Sequence, residues 1–306
     1  HGIPEARRAP ASALPHCGRV RLMRLLSRIL LGGLTALVLF VVIAFVHTAT
    51  IDVRGLATHP PEGSAIMAQR AREAQAAGRP VRAAHHPVSL DRIAPTLRAA
   101  VLVAEDDKFF SHDGFDWAGI KAAARRDLRT RHLSSGGSTI TQQLAKNLWL
   151  GTARTPWRKF EEMILAVRLE RALSKRRILE LYLNTIEWGD GVYGIDAAAR
   201  RWYGVGAGAL SPAQSIRLAA VIINPRRYSP TSPDRRIQKR IRVIASRLRR
   251  RGAIDEAAYR TTLGLPPEAP APAVDPSLMG PGDLAPDPVT PAPAAAPPDT
   301  GEAVHL

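Results

Sequence analysis

Ile29 to Val46 reads ILLGGLTALVLFVVIAFV, eighteen residues without a charge. At a rise of about 1.5 Å per residue, a helix of that length nearly spans a hydrocarbon core of about 30 Å. Flanking residues extend it, so a transmembrane helix is predicted over 29–48. The run fixes one element of the fold and divides the chain between the two sides of a membrane. Arg19, Arg21, Arg24 and Arg28 precede it. By the positive-inside rule residues 1–28 stay in the cytoplasm and everything after Thr50 lies outside. The competing reading is a cleaved signal peptide, for which His47-Thr48-Ala49 is a weak cleavage site. The apolar run is long for a signal core, which favours an uncleaved anchor. The chain begins with His1, and Met23 is one candidate initiator.

Beyond the anchor, residues 49–88 read as a polar juxtamembrane stalk with a short helix near Ser64–Ala77. Residues 89–265 are patterned as helix nearly throughout, which predicts a mainly α, single-core domain. Ile93, Leu97, Val101 and Ala104 mark one apolar face. Ser211-Pro212-Ala213-Gln214 supplies an N-cap, a Pro at the first helical position and a capping-box Gln. Ile237, Ile241, Ile244 and Leu248 form the stripe of a last amphipathic helix. From Pro266 to Leu306, 12 of 41 residues are Pro and no periodicity survives, the composition of a disordered tail.

Net charge is +16, and the tail carries six acids and no base, which leaves residues 1–265 at +22. So basic a body calls for a polyanion: nucleic acid, an anionic membrane or a phosphorylated substrate. The single Cys17 excludes an intrachain disulfide and a Cys-based zinc site.

Three stretches carry chemistry. Glu105-Asp106 closes the apolar helix, where burial raises a carboxyl pKa and suits it to general-base work. The alternative is a solvated acidic turn. In Gly136–Asn147, GGSTITQQLAKN, Thr139 and Gln142 fit a capping box, and Gln143, Lys146 and Asn147 share a polar face. A helix N-terminus with free N–H groups and a nearby Lys suits a phosphate. The Walker A spacing is absent. Arg158 and Glu162 share a helix face, either as a surface ion pair or as a phosphate-binding cation beside a second carboxylate. Two carboxylates, a Lys and an Arg suit transfer of a sugar from a diphosphate leaving group.

These motifs, with Lys175–Asn184 and Gly189–Tyr203 in the same order, resemble the peptidoglycan glycosyltransferases of family 51, most closely the monofunctional biosynthetic transglycosylases. The resemblance covers roughly residues 85–250. It implies a lysozyme-like α fold and polymerisation of lipid II into β-1,4-linked glycan strands, with release of undecaprenyl diphosphate, outside the inner membrane. It makes Glu105 the general base and Glu162 the second carboxylate, assisting departure directly or through a divalent cation (Mg or Mn). No organic cofactor is implied. Lys146 and Arg158 become the diphosphate contacts. Asp106, Phe109, His112, Thr139, Gln143 and Asn147 become cleft residues that position Glu105 or the substrate, and Glu180 and Asn184 framework residues. Implied partners are lipid II, the growing strand, the inner membrane, other cell-wall synthases and divisome proteins, but no nucleic acid. Gln214 stands where the family usually has Glu, an exchange a capping box tolerates. Ser-x-x-Lys and Lys-Thr-Gly are missing, so transpeptidase activity is not expected.

Two rivals remain at this stage. A lysozyme-like hydrolase needs no diphosphate contacts, so Lys146 and Arg158 argue against it. A non-enzymatic basic membrane-binding protein explains the run Arg235–Arg251, assigned here to anionic headgroups. It does not explain the paired carboxylates.

Overall fold

The computed structural model describes residues 16–130, 137–153 and 155–267. Most of the expected cytoplasmic start, Gly136 of the glycine pair and nearly all of the Pro-rich tail lie outside the described residues. Helix α1 spans His16–Ala49. Its stretch Arg21–Ala49 is long and apolar enough to cross a membrane. Leu30, Leu34, Val38 and Phe45 along it are exposed, as a lipid-facing helix requires.

The anchor does not end in a free stalk. Val53 and Leu56 enter the main core. Helix α2, Ala65–Ala76, is capped by Ser64, whose hydroxyl accepts from the Met67 N–H. Gln69 on α2 exchanges hydrogen bonds with Thr152, at 2.6 and 3.1 Å. The strand β1, Ala84–His85, then pairs in parallel with a later strand. Residues 49–88, expected as a stalk, are thus knit into the domain. The short helix near Ser64–Ala77 is where the sequence put it; its packing partners, distant in sequence, were not visible.

The body is helical. Helix α3 is Pro95–Glu105, α4 is Trp117–Thr130 and α5 is Ile140–Ala145. A π-wound turn continues α5 over Lys146–Leu150. Helix α6 is Pro156–Ala172, α7 is Lys175–Thr185, α8 is Ile195–Tyr203 and α9 is Pro212–Val221. The last two are α10, Arg235–Arg250, and α11, Glu256–Leu263. A small sheet of order β1-β3-β2 adds β2, Glu187–Gly189, and β3, Val192–Tyr193, joined antiparallel.

Helix α5 lies between α6 and α7, and α3 packs on α9 and α10. Their apolar faces form one core in which Leu97, Val101, Ile140, Leu144, Leu165 and Ile178 are inaccessible to water. Side chains that bury this completely each add roughly 1.5–3 kcal/mol of hydrophobic stabilisation. Both expected capping boxes form, at Thr139/Gln142 and at Ser211/Gln214. Glu180 and Asn184 act as framework. Asn184 exchanges hydrogen bonds with both backbone groups of Val88, at 3.0 and 2.8 Å, and Glu180 accepts from the Leu90 N–H at 2.8 Å.

Candidate active site

Helix α3 stops at Glu105 because Asp106 leaves helical geometry, with φ −157° and ψ 80°. The Asp106 carboxylate is buried and does structural work. It accepts from His112 Nε2 at 2.9 Å and from the Ile140 N–H at 3.0 Å. Ile140 is the first residue of α5, so Asp106 fills the positive end of that helix. This corrects the expectation of a phosphate seat there: a carboxylate from α3 already holds the position. Thr139 reinforces the joint by donating to the Gly114 carbonyl at 2.7 Å.

Glu105 is consequently held at a fixed junction. One carboxylate oxygen accepts from Gln143 Nε2 at 3.1 Å, and the other from Arg240. Gln143 is itself oriented, its carbonyl oxygen accepting from the Tyr182 hydroxyl at 3.1 Å. Burial pushes the Glu105 carboxyl above its ordinary value, and Arg240, Gln143 and Lys146 only partly offset this. Beside it opens a cavity of about 220 Å³, lined by Glu105, Asp107, Lys108, Asp116, Ser138 and Arg247 among others.

The second cluster sits at the start of α6, where Thr155 caps the helix and Pro156 takes the first position. Glu162 is buried, with 3% of its side chain exposed, and both its oxygens accept from cations. Arg158 donates to one at 2.6 Å and Lys159 to the other. Lys159 also donates to Ser138 Oγ at 3.1 Å, so Ser138 joins this cluster to the cavity beside Glu105. Lys146 stands in the field of both carboxylates. Burial lowers its pKa, Glu162 and then Glu105 pull it back up, and Arg158 and Lys159 press it down. Among the described residues it forms no salt bridge. A single carboxylate already engaged by Arg158 and Lys159 does not offer a divalent cation a ligand set. Among the described residues no group of three or more His, Cys, Asp or Glu could hold one.

The remaining nominated residues build the frame. Phe109 is 1% exposed, with the Lys175 ammonium 4.5 Å above its ring, so it packs in the core rather than lining the cleft. His112 anchors Asp106. Asn147 is buried, and its amide donates to the Gln143 carbonyl at 2.6 Å, where the helix begins to change winding. Lys159, Ser138, Tyr182 and Arg240 were missed. Arg240, Arg247 and Arg251 also correct the reading of Arg235–Arg251 as wholly headgroup-facing. They reach Glu105, the Val103 carbonyl and Asp107 respectively. Their spacing of seven and then four is one helix stripe, a signal the sequence held.

Helix α6 also carries the contact with the anchor. Phe40 of α1 meets Trp157 edge-on, with centroids 4.7 Å apart, and Phe160 at 5.4 Å. His47 Nδ1 donates to Glu161 at 2.6 Å, and Arg168 donates to the Thr48 and Ile51 carbonyls.

Comparison with known proteins gives a consistent picture. The sequence model of the family described as Transglycosylase matches residues 72–249, more than half of the chain. A biosynthetic peptidoglycan transglycosylase of Methylobacillus flagellatus is 45% identical over 218 residues, 71% of this chain and 94% of that protein. The protein of the same name from Azoarcus sp. is 42% identical over 232 residues, 76% of this chain and 96% of its own length. That from Nitrosomonas eutropha is 46% identical over 191 residues, 62% of this chain and 78% of its own.

Proposed function

We propose, from the premise that this chain belongs to the transglycosylase family, a division of labour between its two carboxylate clusters. The chain is a peptidoglycan glycosyltransferase with the mainly α, lysozyme-like fold of that family, and it joins lipid II units into glycan strands. Glu105 takes the proton from the acceptor's 4-hydroxyl. That oxygen bonds to C1 of the donor sugar as the bond from C1 to the diphosphate breaks, on the opposite face. The electron pair leaves with undecaprenyl diphosphate, so the anomeric centre inverts and the new linkage is β-1,4. Lys146, Arg158 and Lys159 meet the charge that grows on the diphosphate. Glu162 holds Arg158 and Lys159 at one spot.

The observation that carries this reading is the unequal pairing of the two glutamates. Glu105 is largely buried, with 13% of its side chain exposed, under-neutralised and beside a cavity. Glu162 is fully paired, with spare positive charge around it. A hydrolase has no use for the second cluster. The Arg residues in the first turns of α1, ahead of its apolar run, support a cytoplasmic N-terminus and a catalytic domain on the periplasmic face of the inner membrane.

The test uses the full chain in lipid vesicles with lipid II. Glu105→Gln keeps the parent's circular dichroism and loses about 10²–10⁴-fold in the rate of undecaprenyl diphosphate release. Polymerisation within threefold of the parent overturns Glu105 as the base. Shortening of preformed glycan without polymer formation overturns transfer in favour of hydrolysis.

A further inference from the structure

A second basic concavity lies on residues the reaction does not use. One cavity, of about 220 Å³, is lined by Arg70, Arg79, Arg82, Asp190 and Arg226 among others. Another, of about 420 Å³, is lined by Arg82, Asp190, Arg201, Trp202, Arg226, Arg227 and Tyr228 among others. They share Arg82, Asp190 and Arg226, so they form one continuous groove.

The charges in the groove are not cancelled. Asp190 is the acid lining both cavities, and it is already flanked by Arg79 at 3.9 Å and Arg226 at 3.4 Å. Arg70 is engaged by Glu73 and Glu187. Among the described residues, Arg82, Arg201 and Arg227 have no acidic partner within salt-bridge distance. Two of these three are set against aromatic faces. The Arg201 guanidinium stands 5.8 Å from the Trp202 ring centre and that of Arg227 stands 5.3 Å from Tyr228. Stacking of this kind holds a guanidinium in place without neutralising it. Ser229 and Thr231, whose hydroxyls lie 3.1 Å apart, add neutral donors and acceptors at the rim.

We infer that this groove binds a carboxylate-bearing glycan strand, the peptide-substituted product of the chain's own reaction. Carboxylates recurring along a sugar backbone match separated guanidinium groups, and hydroxyl-rich sugars match the aromatic and Ser/Thr surface. A flat anionic membrane is the poorer occupant. The groove is concave, and among the described residues none of the exposed large aliphatic side chains lines it. The inference rests on the chain being a glycan polymerase, but not on the roles given to Glu105 and Glu162.

The experiment uses the full chain in neutral lipid nanodiscs and in a Glu105→Gln background, so that no polymerisation occurs. The probe is a labelled soluble glycan strand carrying its peptides, and the control is an N-acetylglucosamine oligomer of the same length, which bears no carboxylate. The parent binds the peptide-bearing strand more tightly than the uncharged oligomer, and more weakly as salt rises. R82A/R201A/R227A weakens binding of the peptide-bearing strand at least tenfold, and the triple Arg→Lys variant recovers most of it. Equal binding by parent and triple Ala variant overturns the inference. So does a triple Ala variant that binds anionic vesicles more weakly than the parent while its strand binding is unchanged, which reassigns the groove to lipid. Because binding is read without turnover, a wrong assignment of the base leaves this result intact.

Discussion

Glu105 and Glu162 are the same residue type, each on a helix and each in the field of Lys146, yet their surroundings divide them. Glu105 closes α3 with one cation and one amide on its carboxylate. Glu162 lies nearly two turns into α6 with a cation on each oxygen. A carboxylate with less positive charge than burial demands is costly to ionise, and that cost makes it basic. A carboxylate with more than enough is a scaffold: it brings cations together and leaves a net positive field beside it. The difference shows that charge balance, more than residue identity, assigns the role.

After the loss expected at Glu105, the largest effect breaks the cation side. Lys146→Ala removes the charge that both carboxylates feel, and kcat falls by about 10²–10³, the usual loss when one preorganised electrostatic contact is deleted. Unchanged kcat with a raised KM would make Lys146 a ground-state contact only. Next comes a contrast in stability. Glu162→Gln leaves Arg158 and Lys159 crowded without their counter-charge. It costs about 2 kcal/mol, less than the roughly 3–5 of a fully buried pair because Lys159 stays partly open to water. Glu105→Gln removes a carboxylate whose burial is only partly offset, so its melting temperature holds or rises. Equal losses of melting temperature in the two variants would remove the distinction between them.

The pH dependence sharpens the same contrast. The folded-state pKa of Glu105 is raised, so its contribution to stability is complete below the unfolded value and is lost as pH rises through the folded one. Activity runs the other way, since the base must be ionised, and the acid limb of the rate profile lies above the ordinary carboxylate range. After burial, the first influence on Glu105 is the attraction of Arg240. Arg240→Ala therefore moves the acid limb to higher pH, and a limb that stays in place would detach Arg240 from the base.

What the sequence showed of this site was local. Thr139 and Gln142 could be read as a capping box because they lie three residues apart. The paired apolar and polar faces of α5 followed from helix period alone. The N-terminus of α5 was misread because its donors are visible in sequence, whereas the acceptor, Asp106, comes from 34 residues away. Arg240 reaches Glu105 across 135 residues, from a helix with arginines on several faces. The π turn at Lys146 departs from the 3.6-residue period on which the polar-face argument rested. These misses are long-range meetings or a change of winding, which leave no mark in a single segment; Lys159, three residues before Glu162, was local and open to the same helix-period argument as Arg158.

The smallest effect separates Glu162 from its neighbour. Glu161 is 4% exposed and its hydrogen bond goes to His47 of the anchor, whose own side chain is largely open to water. Glu161 turns to the anchor, its hydrogen bond going to His47 and not to Arg158 or Lys159. Solvent screens the charge at His47, so the hydrogen bond matters there more than the ion pair. A Gln at 161 still accepts from Nδ1. Glu161→Gln therefore costs under about 1 kcal/mol, within the range of a single hydrogen bond, and polymerisation in vesicles stays within about twofold. Glu161→Leu, which cannot accept, loosens the anchor from α6 and raises proteolysis between residues 49 and 64 while kcat holds. If Glu161→Gln instead abolishes polymerisation, the charge on the anchor side of α6 belongs to the chemistry, and Glu162 is no longer distinct in bearing it.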